Sequence, residues 1–255
     1  MIDLGIPIDW RIGAAIAAVV FAGVAKGVTG MGLPVAGVPI LVALYGDLRL
    51  VLLATILATA TSDIPMLWKY RDRWRDARML LGFFALAFVG IFIGNQILHV
   101  VKTSILAGGL ALLVIVFITI SWLGRMPRMS QTLATRLAPV IGLLSGIVQG
   151  SVGASGPIPT IYLVSAQLPR ESFLFALSAI FFVNDWAQFT ALHVHGEGGG
   201  GIAILSVAVT VLAFAGLAAG MWLQSRIDDA VFRRGVLGML AIAAIALIAR
   251  AVRGG

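Results

Sequence analysis

The chain has 255 residues, of which 60% are hydrophobic and only 11% are charged, and its mean hydropathy is +1.04. A soluble domain carries about a quarter charged residues, so this composition excludes a fold whose whole surface faces water. The net charge is +7. Because cysteine is absent, disulfides, thiol catalysis and thiolate metal sites are excluded.

Long apolar runs dominate the chain. A helix needs roughly 20 apolar residues to cross a hydrocarbon core of ~30 Å, and eight runs are of that order. Strands of a membrane barrel would alternate in polarity over about 10 residues, and these runs do not. We therefore predict an all-α polytopic membrane protein. The predicted long spans are Ile12–Gly30, Leu50–Trp68, Met79–Val100, Ser104–Leu123, Leu137–Gly153, Ser172–Leu192, Ile202–Leu223 and Val231–Ala249.

Two short charge-free stretches, Leu33–Leu44 and Pro157–Gln167, directly follow the first and fifth spans. Glycine and proline introduce each stretch, so each predicts a broken helix followed by a half-helix. Short, interrupted segments at corresponding places in two halves indicate the binding site of a transporter.

The two halves repeat a pattern of glycine and proline. The first block recurs 123 positions later as Gly23 with Gly146, Gly27 with Gly150, Gly30 with Gly153, and Pro34 with Pro157. A second block, F-x-G-x-x-x-G, begins at Phe88 and again at Phe214. We infer two homologous transmembrane halves, residues 1–123 and 137–255, joined by a cytoplasmic linker, residues 124–136.

The orientation of the two halves depends on whether the short stretches cross the membrane. If they cross, each half has five crossings and the repeats are inverted; if they do not, each half has four and the repeats are parallel. The positive-inside rule places 12 basic residues inside in the first case and 11 in the second. We favour inverted repeats and keep the parallel arrangement as the alternative.

The runs GVTGMGLP (27–34) and GSVGASGP (150–157) stand at the two predicted breaks. Unpaired N–H groups and the positive end of a half-helix can bind an anion without a charged side chain. Close helix packing is the other interpretation, because small residues four apart let membrane helices approach. The candidate substrate ligands in these runs are Thr29, Gly30, Gly32, Ser151, Gly153 and Ser155.

Lys26 lies well inside the first predicted span, and Gln149 is its counterpart in the second half. A buried ammonium group costs several kcal/mol unless it is paired or faces water. Lys26 therefore either extends to the interface, binds the anionic substrate, or pairs with a buried carboxylate. We include Lys26 and Gln149 among the substrate-binding candidates.

Asp63 and Asp185 lie within apolar runs at matching places in the two halves. Either acid is a structural group that caps a helix or pairs with Lys26, or it is a proton site that couples transport to the proton gradient. We favour Asp63 as the proton site, because its TATSD segment is rich in hydroxyl groups. The predicted neutral donors to the substrate beside these acids are Thr59, Thr61, Ser62, Asn184 and Gln188.

Gly153–Gly156 also fits G-x-S-G, the serine motif of rhomboid intramembrane proteases, with His193 as a conceivable base for Ser155. The repeat places Gly32 where Ser155 stands, which favours a structural element over a nucleophile. A non-transporting membrane scaffold is the third interpretation. His193 and His195 lack a third ligand, so we predict no metal site.

The duplicated G-x-x-x-G-x-x-G-x-x-x-P block and the F-x-G-x-x-x-G block resemble the TauE/SafE family, from about Arg11 to Arg250. This resemblance implies a multi-pass permease of the prokaryotic plasma membrane for sulfite, sulfoacetate or a taurine-like sulfonate. We expect alternating access, no enzymatic activity and no cofactor. The expected partners are a small anionic substrate and the lipid bilayer, not nucleic acid, and a homodimer is left open.

Overall fold

The computed structural model describes residues 10–30, 33–123, 128–194 and 200–223, together with Arg226. Every regular element within these ranges is helical, which confirms the all-α prediction. In the same ranges six helices are long and apolar enough to cross a membrane. They are α1 (Trp10–Thr29), α3 (Leu48–Ser62) with its continuation α4 (Ile64–Lys69), α5 (Leu81–Val100), α7 (Gln131–Val152), α9 (Arg170–Val194) and α10 (Gly200–Leu223).

These six helices correspond to predicted spans one, two, three, five, six and seven. The fourth is α6, Thr103–Leu123, and the eighth, Val231–Ala249, lies outside the described residues. Helix α7 begins at Gln131 rather than at Leu137. The reason is that the Ser130 hydroxyl caps the helix by accepting a hydrogen bond from Leu133 N.

The two predicted helix breaks are present. Helix α1 ends before Gly30 and helix α7 before Gly153, and both glycines have a positive φ, +76° and +69°. Each glycine N–H donates back to the residue four positions earlier, the carbonyls of Lys26 and Gln149, at 2.8 Å. A left-handed glycine ends a helix without steric strain, so the repeated glycine has a repeated backbone role.

A short helical segment follows each break. In the first half it is a π-helical turn, Leu33–Gly37, continued by α2, Val38–Tyr45. In the second half it is α8, Pro157–Ser165. The carbonyl of Ser165 accepts a hydrogen bond of 2.8 Å from Met129 N, just before α7 begins. Helix α8 therefore returns to the side of the molecule from which α7 started.

The repeated glycines pack two pairs of helices tightly together. In the α1–α10 pair, Gly23 faces Gly216 and Gly27 faces Gly220, so these helices run parallel. In the α5–α7 pair, Gly90 faces Gly146 and the next glycine, Gly94, faces the following turn of α7. The packing interpretation of the two runs thus fits Gly27 and Gly150, whose missing side chains allow backbone contact, and Gly23 and Gly146, one turn earlier, pack in the same way.

Each of these pairs joins one half of the chain to the other, and the two breaks do the same. Gly30 packs on Leu174 of α9, and Gly153 packs on Leu52 of α3. Leu52 and Leu174 are themselves 122 positions apart. The contacts between the halves are therefore reciprocal at the level of single residues.

Helices α3 and α9 lie side by side at the centre of this arrangement. Near the α4–α5 loop, Arg73 forms an ion pair with Glu171 at the start of α9. Asp76 accepts a hydrogen bond of 2.5 Å from the hydroxyl of Ser172. The loop that follows α3 and α4 thus lies beside the beginning of α9, so α3 and α9 run in opposite directions.

Candidate functional site

The site is built around a buried ion pair one turn before the first helix break. Lys26 and Asp63 are both completely buried, and the Lys26 Nζ atom lies 2.8 Å from Asp63 Oδ2. The Lys26 ammonium group also lies 5.9 Å from the centre of the Phe181 ring. Of the three interpretations of Lys26, the structure shows the pairing with a buried carboxylate.

Asp63 owes its position to a second interruption of a spanning helix. Pro65 lies in the first turn of α4 and cannot donate a backbone hydrogen bond, so the helix is broken between Ser62 and Ile64. The Asp63 carbonyl accepts the first hydrogen bond of α4, from Leu67 N at 2.9 Å. The aspartate therefore belongs to the junction between the two helices.

The matching place in the second half holds a glutamine in place of the lysine. Gln149 Nε2 donates to Asp185 Oδ1 and to Gln188 Oε1, each at 2.8 Å. Gln149 Oε1 accepts hydrogen bonds from Ser155, at 3.1 Å from its N–H and 2.8 Å from its hydroxyl. The amide thus links Asp185 to the N-terminal end of α8, and all four side chains are buried.

The two acids approach each other across the α3–α9 interface. The side chain of Asp185 lies near Thr59 of α3, and that of Asp63 lies near Ser178 of α9. Asp185 is also within electrostatic range of both Asp63 and Lys26. The polar groups of the two halves therefore form one cluster inside the molecule.

Several atoms of this cluster have no hydrogen-bond partner within the described residues. A buried polar atom without a partner costs free energy, so such a group of atoms indicates a place where a ligand, a proton or water binds. The atoms are Asp63 Oδ1, Ser178 Oγ, Asp185 Oδ2 and Gln188 Nε2. Asn184, a predicted ligand on the same helix, is buried with neither of its side-chain polar atoms bonded.

The hydroxyl groups predicted to bind the substrate form hydrogen bonds within their own helices. Thr29, Thr61, Ser62 and Ser151 each donate to a backbone carbonyl of their own helix. Their hydroxyl hydrogens are thus occupied, although their oxygens can still accept. Gly32, also a predicted ligand, lies outside the described residues.

Among the described residues, the hydroxyl of Ser155 has no base beside it. Its side chain is completely buried and donates to an amide oxygen, Gln149 Oε1, which cannot take up a proton. The side chain of His193 and the whole of His195 lie outside the described residues. Among the residues that are described, no group of three or more histidines and acids is placed to hold a metal ion.

Two members of the cluster were not predicted from the sequence. Ser178 and Phe181 are a small and an aromatic residue of a kind common in any membrane helix. Their spacing from Asp185 does contain the information, because residues seven and four positions before it share its face of the helix. A search along the helix face of each buried acid would have found both.

The family model described as sulfite exporter TauE/SafE matches residues 15–247, which include both helix breaks, both acids and the buried lysine. No curated protein and no solved structure showed significant similarity to the chain. Proteins of the matched family are membrane transporters and not enzymes, which excludes the protease interpretation. Since the match covers most of the chain, this multi-pass membrane protein belongs to the TauE/SafE family of sulfite exporters.

Proposed function

We propose that this protein exports sulfite or a small sulfonate across a prokaryotic plasma membrane, by alternating access between two inverted repeats and together with a proton. The substrate class follows from the family, whose members export sulfite and sulfonates. The observation that carries the proposal is the fully buried Lys26–Asp63 pair beside a broken helix. The Lys26 ammonium group is paired with one carboxylate, and a small oxyanion can replace that carboxylate as its partner inside the membrane.

Lys26 is the proposed ligand, and the anion takes the place of the Asp63 carboxylate. A sulfite or sulfonate oxygen forms the same charge-assisted hydrogen bond that Asp63 Oδ2 forms now. In the second half, the Ser155 N–H and hydroxyl are already occupied by Gln149 Oε1. We therefore assign the primary anion site to the first half and a supporting role to the second.

Inversion of the repeats is supported by the directions of the helices. Ser206, near the start of α10, donates to the carbonyl of Leu53, near the start of α3, at 2.6 Å. Helices α3 and α10 therefore start on the same side of the molecule, and α10 is parallel to α1. The Lys26–Asp63 contact lies near the ends of both α1 and α3, so these two helices run in the same direction. Helix α9 runs opposite to α3, and α7 runs with α5, away from the α4–α5 loop. The corresponding helices of the two halves thus have opposite directions.

The distribution of basic residues supports the same topology. Among the described residues, nine arginines and lysines flank the membrane on the side of the α4–α5 loop and three on the other. The nine are Lys69, Arg71, Arg73, Arg75, Arg78, Arg128, Arg136, Arg170 and Arg226, and the three are Arg11, Arg49 and Lys102. By the positive-inside rule the α4–α5 loop faces the cytoplasm.

Single cysteines test this topology, and the chain offers a background without any native cysteine. Inverted repeats place Pro169→Cys in the cytoplasm and Gly200→Cys outside, whereas parallel repeats reverse both. Asp72→Cys, inside, and Lys102→Cys, outside, are controls that the two arrangements share. Labelling with a membrane-impermeant maleimide on intact cells and on inside-out vesicles decides between them. A Pro169→Cys protein labelled on intact cells would refute inversion.

Transport is tested with purified protein in liposomes against a panel of sulfite, thiosulfate, sulfonates and carboxylates. We expect sulfite or a small sulfonate to be transported in preference to the carboxylates. Lys26→Gln alone leaves Asp63 as an unpaired buried charge and is expected to cost about 3–5 kcal/mol of stability. The double variant Lys26→Gln/Asp63→Asn removes both charges and preserves the shape of the pair.

The double variant should therefore fold but lose substrate binding, while Lys102→Gln, a loop lysine, serves as the control for loss of one positive charge. Melting temperature and substrate-dependent stabilisation are measured for each protein. Substrate affinity equal to the unmodified protein in a folded Lys26→Gln/Asp63→Asn variant would show that Lys26 is structural. Absence of transport of every compound in the panel by the unmodified protein would refute the proposed substrate class.

A further inference from the structure

We propose that Asp63 binds the co-transported proton, and that it does so only while the anion occupies Lys26. This inference rests on the proposed function and assigns its coupling step to one carboxylate. The hydroxyl groups of the TATSD segment are not the reason, because Thr61 and Ser62 donate to backbone carbonyls of their own helix. The reason is that Asp63 is the group that the anion displaces from Lys26.

In the empty protein the buried cluster is electrically neutral. The Lys26 ammonium group and the Asp63 carboxylate neutralise each other at 2.8 Å. Asp185 is bonded to an amide, Gln149 Nε2, and a buried carboxylate without a counter-charge of its own is relieved by protonation. Its Oδ2 atom, which has no partner in the described part of the chain, is the place for this proton. The proton on Asp185 is present before the anion arrives, so it is not the proton that moves with the anion.

The anion changes the charge balance at Asp63. When a sulfonate or hydrogen sulfite ion replaces the carboxylate at Lys26, Asp63 is left ionised and the cluster carries one net negative charge. One proton on Asp63 restores neutrality. The same proton in the absence of the anion would leave Lys26 unpaired and the cluster positive. A net charge inside the membrane is costly, so two forms are favoured: the empty protein, and the protein that holds both anion and proton.

The geometry around Asp63 allows this exchange of partners. Asp63 Oδ2 is bonded to Lys26, whereas Oδ1 has no hydrogen-bond partner within the described residues. The Ser178 hydroxyl lies beside this carboxylate and is likewise without a partner in that part of the chain. Once Lys26 binds the anion, the protonated carboxyl group can donate to the Ser178 hydroxyl. A neutral Asp63 therefore keeps a hydrogen bond in the apolar interior.

Few charged groups surround Asp63 among the described residues. Helix α1 contributes Lys26 and helix α9 contributes Asp185. The other helices packed on α3, namely α2, α6 and α10, carry no lysine, arginine, aspartate or glutamate. The remaining charged residues of α1, α3, α4 and α9 lie toward the surface ends of these helices: Arg11, Arg49, Lys69, Arg170 and Glu171. The anion is thus the group that can take over Lys26 from Asp63.

Anion binding should therefore take up one proton. For methanesulfonate, whose own charge is fixed, the affinity of the unmodified protein should fall about tenfold per unit rise in pH around neutrality, because the bound form holds one proton more than the empty form. In Asp63→Asn the affinity should not depend on pH. Asp185→Asn, the matching change in the second half, should retain the tenfold dependence. Titration calorimetry on the purified proteins measures these affinities, with sulfite in parallel after subtraction of its own protonation.

In liposomes the same charge balance should give electroneutral transport. A pH gradient, acid outside, should drive accumulation of the labelled anion, whereas an imposed potassium diffusion potential should not. Asp63→Asn should lose this accumulation and still exchange labelled for unlabelled anion, because its anion-bound form is neutral and its empty form carries the charge of Lys26. Asp185→Asn should still respond to the pH gradient, whatever its rate. Protein-free liposomes measure the leak.

Asp63→Asn leaves Lys26 without its partner, so its melting temperature is measured first, with and without methanesulfonate. The anion supplies the missing counter-charge and should stabilise this variant more than the unmodified protein. Should the variant not fold, the unmodified protein still decides the question. A pH-independent affinity, or accumulation driven by the potential, would overturn the proposal without any variant.

Persistence of the pH dependence in folded Asp63→Asn would also overturn the proposal, as would its loss in Asp185→Asn alone. Each of these results requires an anion that the unmodified protein binds or transports. Failure of the proposed function is therefore distinguishable, because in that case the unmodified protein would bind and transport none of the anions in the panel.

Discussion

The backbone contact between α1 and α10 makes a quantitative prediction for Gly27→Ala. A methyl group on Gly27 would lie 2.5 Å from the carbonyl oxygen of Leu217, 2.6 Å from Met221 N and 2.7 Å from Gly220 C. All three are backbone atoms of α10, so none can rotate away. Ordinary contact at such a position begins at 3.4 Å. Helices α1 and α10 must therefore separate by about 0.9 Å, the difference between 3.4 and 2.5 Å.

The cost of this separation follows from packing. Overpacking a close contact costs about 1–3 kcal/mol, and a gap of 0.5–1 Å forfeits roughly a quarter to a half of each lost dispersion contact. Against this, alanine favours a helix over glycine by about 1 kcal/mol. Gly108→Ala in α6 is the matched control, because a methyl group there has no atom within 4 Å. The gain in helix propensity cancels between the two variants, and the difference of about 1–3 kcal/mol reports the contact alone.

The assay is thermal unfolding of the purified protein in detergent, followed by the fluorescence of its six tryptophans. Gly27→Ala should unfold at a lower temperature than Gly108→Ala by several degrees. Substrate transport should fall as well, since Gly27 follows Lys26 directly. Equal melting temperatures for the two variants would show that α1 and α10 are not in backbone contact, and would refute the packing of the two halves described above.

Three further predictions follow from single contacts. Gly153→Ala should destabilise the protein more than Gly30→Ala, although both glycines have a positive φ, because a methyl group would overlap Leu52 of α3 in the first and would lie 3.0 Å from Leu174 Cδ2 of α9 in the second; melting temperatures compare them. Ser155→Ala should keep transport activity, and a fluorophosphonate probe should leave Ser155 unlabelled, because its hydroxyl donates to an amide oxygen rather than to a base. Tyr162→Phe should cost about 1 kcal/mol, because the buried hydroxyl donates to the carbonyl of Ala134 at 2.8 Å; thermal unfolding measures it.

The sequence was sufficient to predict most features that depend on local chemistry. Apolar run lengths predicted the spanning helices, and the paired Gly30 and Gly153 predicted the helix breaks, because both signals act within a few residues. The pairing of Lys26 with a buried carboxylate was one of three interpretations. Energy alone favours it, since an unpaired ammonium group in hydrocarbon is costly. Which acid is the partner depends on how the helices pack.

Contacts between distant parts of the chain could not be predicted from the sequence. Nothing in the pattern around Gly23 says that its partner is Gly216 of the other half rather than a glycine of its own. A G-x-x-x-G face fits any similar face, so the pairing is selected by the whole arrangement of helices. The same limit explains why the glycine runs were read mainly as an anion site. The first glycine of each run, Gly27 or Gly150, serves packing, and the second, Gly30 or Gly153, ends the helix.

The distribution of contacts indicates which parts of the molecule move. The α1–α10 and α5–α7 pairs are held by backbone contacts at successive glycines, and such surfaces resist sliding because no side chain can adjust. The α3–α9 interface differs: it holds Asp63, Asp185 and Ser178, whose side chains each keep an atom with no hydrogen-bond partner in the described part of the chain. An interface with unsatisfied polar groups has alternative pairings of similar energy, which a bound anion or proton can select. Under the alternating access proposed above, the two glycine-packed pairs would move as rigid units about α3 and α9, beside the proposed anion ligand Lys26.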